Sequence, residues 1–307
     1  MAVITLTGDG SYERQLYLKQ LINNFISSYG DYAVEKIIGA EAGIDQLRAA
    51  LTSGGLFSDH KMVVLDQPSL VKGFSELYQE LLGSIDESMS VVINEAKLDK
   101  RLSLYKYLKS HSQFKEFNSP DYPSLSKWVE HYARQHKGDI GRASASYLVE
   151  RLGANQQSLK NELDKLLLYN RQINKESIDL LTEPAPQSTI FQLLEAAFNG
   201  RRHQALTIYD QQRALKVEPA NILAMIVWQL YIIAVVKLAK DKSLNQVAAE
   251  AGLKPYVLDK ASYICQKLSA QDIRRLVSDL LNLDLRSKTK SIDLDGALKN
   301  YLLFLSS

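Results

Sequence analysis

Two periodicities divide the chain. Through residue 137, short apolar runs alternate with segments whose apolar residues recur every three or four positions. Val3 to Leu6 reads as a buried strand. The helix after it carries Leu18, Leu21, Ile22, Phe25, Ile26 and Tyr29 on one face. Val34 to Ile38 predicts a second strand, and Ile44, Leu47 and Leu51 stripe a short helix. Met62 to Leu65 and Val91 to Ile93 are unbroken apolar runs, as strands covered on both faces should be. A helix from about Asp99 to Lys109 and a short strand from Phe114 to Phe117 follow. Leu125, Trp128, Val129, Tyr132 and Ala133 then face one way on a helix that Gly138 ends. Strands separated by helices predict a mostly parallel sheet.

Beyond Gly138 the strand patterns stop. Helices are expected at 142–152, 156–169 and 175–182, the middle one striped by Leu159, Leu163, Leu166 and Leu167. Pro184 and Pro186 mark a linker. Helical spacing then continues at 189–199, 202–215, 220–240, 244–251, 256–268, 270–285 and 291–305, with Ser243 and Gln246 forming a capping box. The fold class is therefore α/β plus all-α: an α/β domain over 1–137, a small helical domain over 138–186 and a larger helical domain over 187–307.

Composition narrows the function classes. The chain has 307 residues, 46% of them hydrophobic and 23% charged, with a net charge of +2, which excludes a disordered chain. The single cysteine, Cys265, allows no internal disulfide and fits a reducing, cytoplasmic compartment. Met1 to Leu6 has no basic leader, so no signal peptide is expected. Ile222 to Ala239 is apolar except for Gln229 and Lys237, and it reads as a buried helix rather than a membrane span.

The first strand runs into Gly8-Asp9-Gly10-Ser11-Tyr12-Glu13-Arg14-Gln15. The strand, the glycines and the following helix suit a phosphate cradle. The G-x-x-x-x-G-K-[ST] pattern is absent, so the lysine that neutralises phosphate and the hydroxyl that holds magnesium are missing. The third glycine of a dinucleotide fingerprint is replaced by Glu13. The Met62 strand ends in Asp66-Gln67, without a catalytic glutamate. No ATP hydrolysis, catalytic residue, cofactor or metal site is expected.

Leu51-Thr52-Ser53-Gly54-Gly55-Leu56-Phe57-Ser58-Asp59-His60-Lys61-Met62-Val63-Val64-Leu65 opens a set of four stretches. The others are Lys97-Leu98-Asp99-Lys100-Arg101, Asn161-Glu162-Leu163-Asp164-Lys165-Leu166 and Pro219-Ala220-Asn221-Ile222-Leu223-Ala224-Met225. In this order and spacing, the chain resembles the delta subunit of the bacterial DNA polymerase III clamp loader. The resemblance implies an AAA+-like α/β domain that does not hydrolyse ATP, a lid-like helical domain and a C-terminal helical collar. It implies an accessory subunit of a DNA-directed DNA polymerase, a nucleotidyltransferase holoenzyme. The implied partners are the ring-shaped sliding clamp (the beta subunit), gamma/tau-type ATPases and delta-prime in a hetero-pentamer, and primed DNA through the complex, with no membrane.

The family grips the clamp with an adjacent apolar pair, and Leu56 and Phe57 match it. Gly54-Gly55 before them and Ser58-Asp59-His60 after them suit an exposed turn. Read without the resemblance, the pair would more often pack under the next strand. Clamp-binding peptides commonly carry a Gln upstream, where Thr52 stands near that place. Lys97, Lys100 and Arg101 form a basic cluster that would serve either as a solvated helix face or as a non-specific contact to DNA phosphates. The alternative function is a helix-turn-helix DNA-binding regulator with a degenerate nucleotide-binding domain, drawn from Leu244 to Ile264. Its second helix offers Tyr256, Asp259, Lys260 and Ser262, which are poor readers of base edges.

Overall fold

The structure is a computed structural model. It describes the chain except residues 1, 55–58, 84, 240–241, 254, 291 and 306–307. The chain divides into two compact units, Met1–Pro120 and Asp121–Ser307.

The first unit is built on parallel strands β1 (Ala2–Thr7), β2 (Val34–Ile38), β3 (Lys61–Asp66), β4 (Met89–Glu95) and β5 (Gln113–Glu116). Their order in the sheet is β2-β3-β4-β1-β5. Parallel neighbours need crossovers, supplied by α1 (Ser11–Tyr29), α2 (Ile44–Thr52), α3 (Phe74–Gly83) and α4 (Ser103–His111). The two faces of the sheet bury different side chains because strand residues alternate. Val63, Leu65, Val91 and Ile93 pack with Leu47, Leu51, Phe74, Leu81 and Leu108 on one face. Leu6, Met62, Val64 and Val92 pack with Leu18 on the other. Helix α3 lies outside the elements expected from the sequence, and Phe74, Tyr78, Leu81 and Leu82 line its buried face.

The second unit begins with α5 (Tyr122–Gln135), whose N-cap Asp121 accepts from the Ser124 N–H at 2.9 Å. The sequence boundary at 137 placed this helix with the sheet. Its Leu125, Val129, Tyr132 and Ala133 instead share a core with α6 (Arg142–Leu152), α7 (Gln156–Tyr169) and α8 (Lys175–Leu181). The strands also do not stop at Gly138. β6 (Asp139–Ile140) and β7 (Gln172–Ile173) pair in parallel, burying Ile140 and Ile173 in that core. Two-residue strands are too short to leave an alternation in the sequence.

A separate core follows in α9 (Pro186–Phe198), α10 (Arg202–Ala214), α11 (Pro219–Leu238), α12 (Leu244–Ala251), α13 (Pro255–Lys267), α14 (Ala270–Thr289) and α15 (Leu294–Leu305). Pro186 starts α9 at a position where a proline's missing N–H costs no helical bond. Helix α11 is long and apolar enough to cross a membrane by composition. In this fold its Ile222, Leu223, Ile226, Leu230, Ile232 and Ile233 lie inside the last core.

Candidate functional site

Only three residues, Gly8 to Gly10, join β1 to α1. Gly8 has φ of +111°, and a Cβ there would fall 2.0 Å from the Phe117 carbonyl oxygen. The Gly10 N–H donates to that same oxygen at 2.9 Å, and the Phe117 N–H donates to Thr7 O at 2.7 Å. Asp9 Oδ1 accepts from the Ser119 N–H at 2.7 Å, and Ser119 Oγ donates to Asp9 O at 2.9 Å. The glycines thus permit close approach to the segment after β5. One of the backbone donors that a phosphate cradle would present, Gly10 N–H, is engaged within the chain.

Arg14 lies one turn into α1 and is 6% exposed. Burial pushes its guanidinium pKa down, while Asp66 at the end of β3 and Glu95 at the end of β4 hold it up. Asp66 accepts from Asn94 Nδ2 at 2.8 Å and pairs with Lys36 at 3.2 Å. Glu95, 3% exposed, accepts from the Ser69 N–H at 2.7 Å. Burial pushes the Glu95 carboxyl up, opposed by Ser69 and Arg14. Arg14 Nε and Nη1 are buried without a hydrogen-bond partner. Two carboxylates at adjacent strand ends therefore face a fixed protein cation. The sequence named Arg14 only as a departure from the cradle pattern. The sequence does not mark Glu95, since nothing local distinguishes a buried glutamate at a strand end.

The basic cluster borders a cleft of about 800 Å³ beyond the carboxyl ends of β1, β4 and β5. Lys97, Lys100 and Arg101 line it together with Gly8, Asp9, Tyr105 and Asn118. Two of these cations already have carboxylate partners. Lys100 pairs with Glu116 at 2.8 Å and Arg101 with Asp99 at 2.6 Å. Arg101's hydrogen bonds hold the Asp99 pKa down at about 2. Exposed pairs of this kind exchange readily for other anions, because each contributes little.

Leu56 and Phe57 lie outside the described residues. On their flanks, Gly54, Asp59 and His60 are exposed, and the His60 ring lies 4.6 Å from that of Tyr29 at the end of α1. In the segment read as a helix-turn-helix, α12 and α13 bury Val247, Ala248, Leu258, Ala261, Ile264 and Cys265 in the last core.

The profile of the DNA polymerase III delta subunit matches residues 11–118, and that of the delta subunit's C-terminal domain matches residues 187–305. This chain belongs to the DNA polymerase III delta-subunit family. The delta subunit of Bacillus subtilis DNA polymerase III is 25% identical over 214 residues. That stretch covers 68% of this chain but 62% of the relative, so the match spans less than two thirds of that relative's length. The solved structure of the Bacillus subtilis DNA clamp loader delta protein aligns over 100% of this chain and 95% of its own. It does so at 20% identity and a TM-score of 0.74, and at that identity the likeness speaks for the fold. The fold shared with that structure is a parallel-sheet domain followed by helical domains. A gamma subunit-related protein from Thermotoga maritima, at 15% identity, reaches a TM-score of only 0.36.

Proposed function

We propose that this chain is the clamp-loader subunit that binds and opens the sliding clamp for loading onto primed DNA, without hydrolysing ATP itself. Family membership supports the assignment to the loader. The observation that carries the division of labour is Arg14, a protein cation placed against Asp66 and Glu95 beside a loop whose Gly10 N–H is already spent. On this reading ATP is bound by gamma/tau-type neighbours. Delta-prime and those ATPases complete a cytoplasmic hetero-pentamer through the helical collar of residues 187–307, with the core that α5 shares with α6 to α8 as the lid-like part.

Leu56 and Phe57 supply the grip. Burying two such side chains in a clamp pocket contributes roughly 1.5–3 kcal/mol each, enough to dominate an interface. Lys97, Lys100 and Arg101 are proposed contacts to DNA phosphates, at which the anion would displace Glu116 and Asp99.

The test is capture of the cognate sliding clamp by the full chain and by the Leu56→Ala/Phe57→Ala double variant. The reading expects the variant to fold and to lose the clamp. Unchanged clamp affinity in the folded variant overturns it. Equilibrium dialysis with ATP checks the second half, where micromolar binding would contradict the proposal.

A further inference from the structure

Composition would bury helix α11 all round, since Lys237 is its only charged side chain between Pro219 and Leu238. In this fold only one side of it lies inside. Val227, Trp228, Tyr231 and Leu238 are exposed, Leu238 by 69%. Positions 227, 231 and 238 are spaced i, i+4 and i+11, so they form one stripe of about three turns, roughly 16 Å long. The Trp228 and Tyr231 rings stack on each other at 5.6 Å.

Helix α14 packs against α11 and exposes a second apolar stripe, Val277, Leu281 and Leu285, at i, i+4 and i+8. Between the two helices runs a groove of about 420 Å³, with Ala234 and Leu238 on one wall and Ile273, Val277 and Leu281 on the other. Lys237 and Arg274 also line it, and no carboxylate does. Among the described residues neither cation pairs with an acid. Lys237 Nζ donates instead to Cys265 O at 3.2 Å. Asp272, whose charge Lys237 feels, already accepts from the Ser269 N–H at 2.8 Å.

Soluble proteins rarely leave apolar stripes of this kind uncovered, and exposed aromatic side chains are enriched where protein chains meet. A groove between two packed helices receives a third helix, ridges into grooves, and its shape suits that better than a flat bilayer surface. The two cations set the sign of the partner. A purely apolar occupant would desolvate them and leave them unpaired.

We propose that the α11–α14 groove is a docking surface for an acidic amphipathic helix of another protein chain. That helix lays apolar side chains between the two stripes and sets carboxylates against Lys237 and Arg274. It engages over about three turns, the length of the α11 stripe. The occupant is defined by this chemistry and not by membership of the loader, so it stands apart from the reading of Leu56 and Phe57.

The experiment uses the full chain and two labelled synthetic helices of equal length, each with leucines at i, i+4, i+7 and i+11 in an alanine background. One carries glutamates on its flanks and the other lysines. Fluorescence anisotropy reads binding, with circular dichroism to confirm that each variant folds. The glutamate helix is expected to bind about tenfold more tightly than the lysine helix, and less tightly as salt is added. Leu281→Asp, at an exposed position in the groove, should abolish that binding. Arg274→Glu should weaken the glutamate helix and strengthen the lysine helix, and it carries the test should Leu281→Asp not fold. Equal affinity for the two helices, no binding of either at millimolar concentration, or parental binding in folded Leu281→Asp overturns the proposal. Sedimentation that shows a dimer of the chain, lost in Leu281→Asp, would make a second copy the occupant and also overturn it. So would flotation with phosphatidylglycerol vesicles that the same variant loses.

Discussion

Asn94 donates its side-chain amide to Asp66 at 2.8 Å, tying the end of β4 to the end of β3. This bond sets two strand termini side by side, so that Asp66 and Glu95 both act on Arg14. Lys36 pairs with Asp66 from the sheet edge, and Arg14 is the buried cation beside Glu95. The consequences can be measured.

Arg14→Met should destabilise the first unit by about 3 kcal/mol near neutral pH, since it leaves the buried Glu95 carboxylate without a nearby cation, whereas Asp66 keeps Lys36. The deficit should narrow as pH falls and Glu95, whose pKa burial raises, protonates. Differential scanning calorimetry at several pH values reads both. An equally stable Arg14→Met chain at pH 7 would show that the guanidinium does not hold the strand ends together.

Glu95→Gln should have the opposite sign. Burial raises the Glu95 pKa in the folded state above the ordinary 4.5, so its ionised form is less favourable folded than unfolded. The native state therefore gains from the protonated form at low pH, and loses that gain as pH rises through the folded pKa. Glutamine mimics the protonated form and can still accept the Ser69 N–H. The variant should melt above the parent at pH 8, with the difference closing below about pH 4.5.

Gly8→Ala tests the loop. A Cβ at 2.0 Å from Phe117 O and φ of +111° both oppose any side chain. A loss of at least about 2 kcal/mol is expected from backbone strain and steric conflict. A Tm within a degree of the parent would mean that the β1–α1 connection can open away from Phe117.

In the last core, Asp295 accepts from Tyr209 Oη at 3.1 Å and Arg213 Nε at 2.7 Å, and Lys299 lies 3.4 Å away. Burial pushes the Asp295 pKa up, but these three groups together draw it below the ordinary 3.8. Its contribution is therefore present above that value and lost as pH falls through the folded pKa. Asp295→Asn should melt below the parent at pH 7, and the gap should fade below about pH 3.8. Tyr209→Phe, which removes a single hydrogen bond, should cost about 1 kcal/mol at neutral pH.

Much of this architecture was legible from spacing. The runs at Val3, Met62 and Val91 became β1, β3 and β4, because a continuous apolar stretch of strand length suits burial on both faces. Residues 142–152 and 156–169 became α6 and α7 with the boundaries the pattern set. Helix α5 shows where pattern stops. Its stripe does form one buried face, but a stripe says that a face is apolar and not which core receives it. The HTH-like segment is a second case, since α12 and α13 have suitable spacing and bury it inward.

By itself, the sequence determined that β1 leads into a loop without the phosphate-binding lysine, and that Leu56 and Phe57 stand between glycines and polar residues. Those are statements about neighbours along the chain, where residue type and spacing suffice. Only tertiary structure decided that Arg14 faces Asp66 and Glu95, and that Lys61 reaches back to Ala50 and Ser53. Both depend on which strands lie side by side and where a long side chain ends. The energy of a buried charge is set by partners distant in sequence, and no local pattern records them.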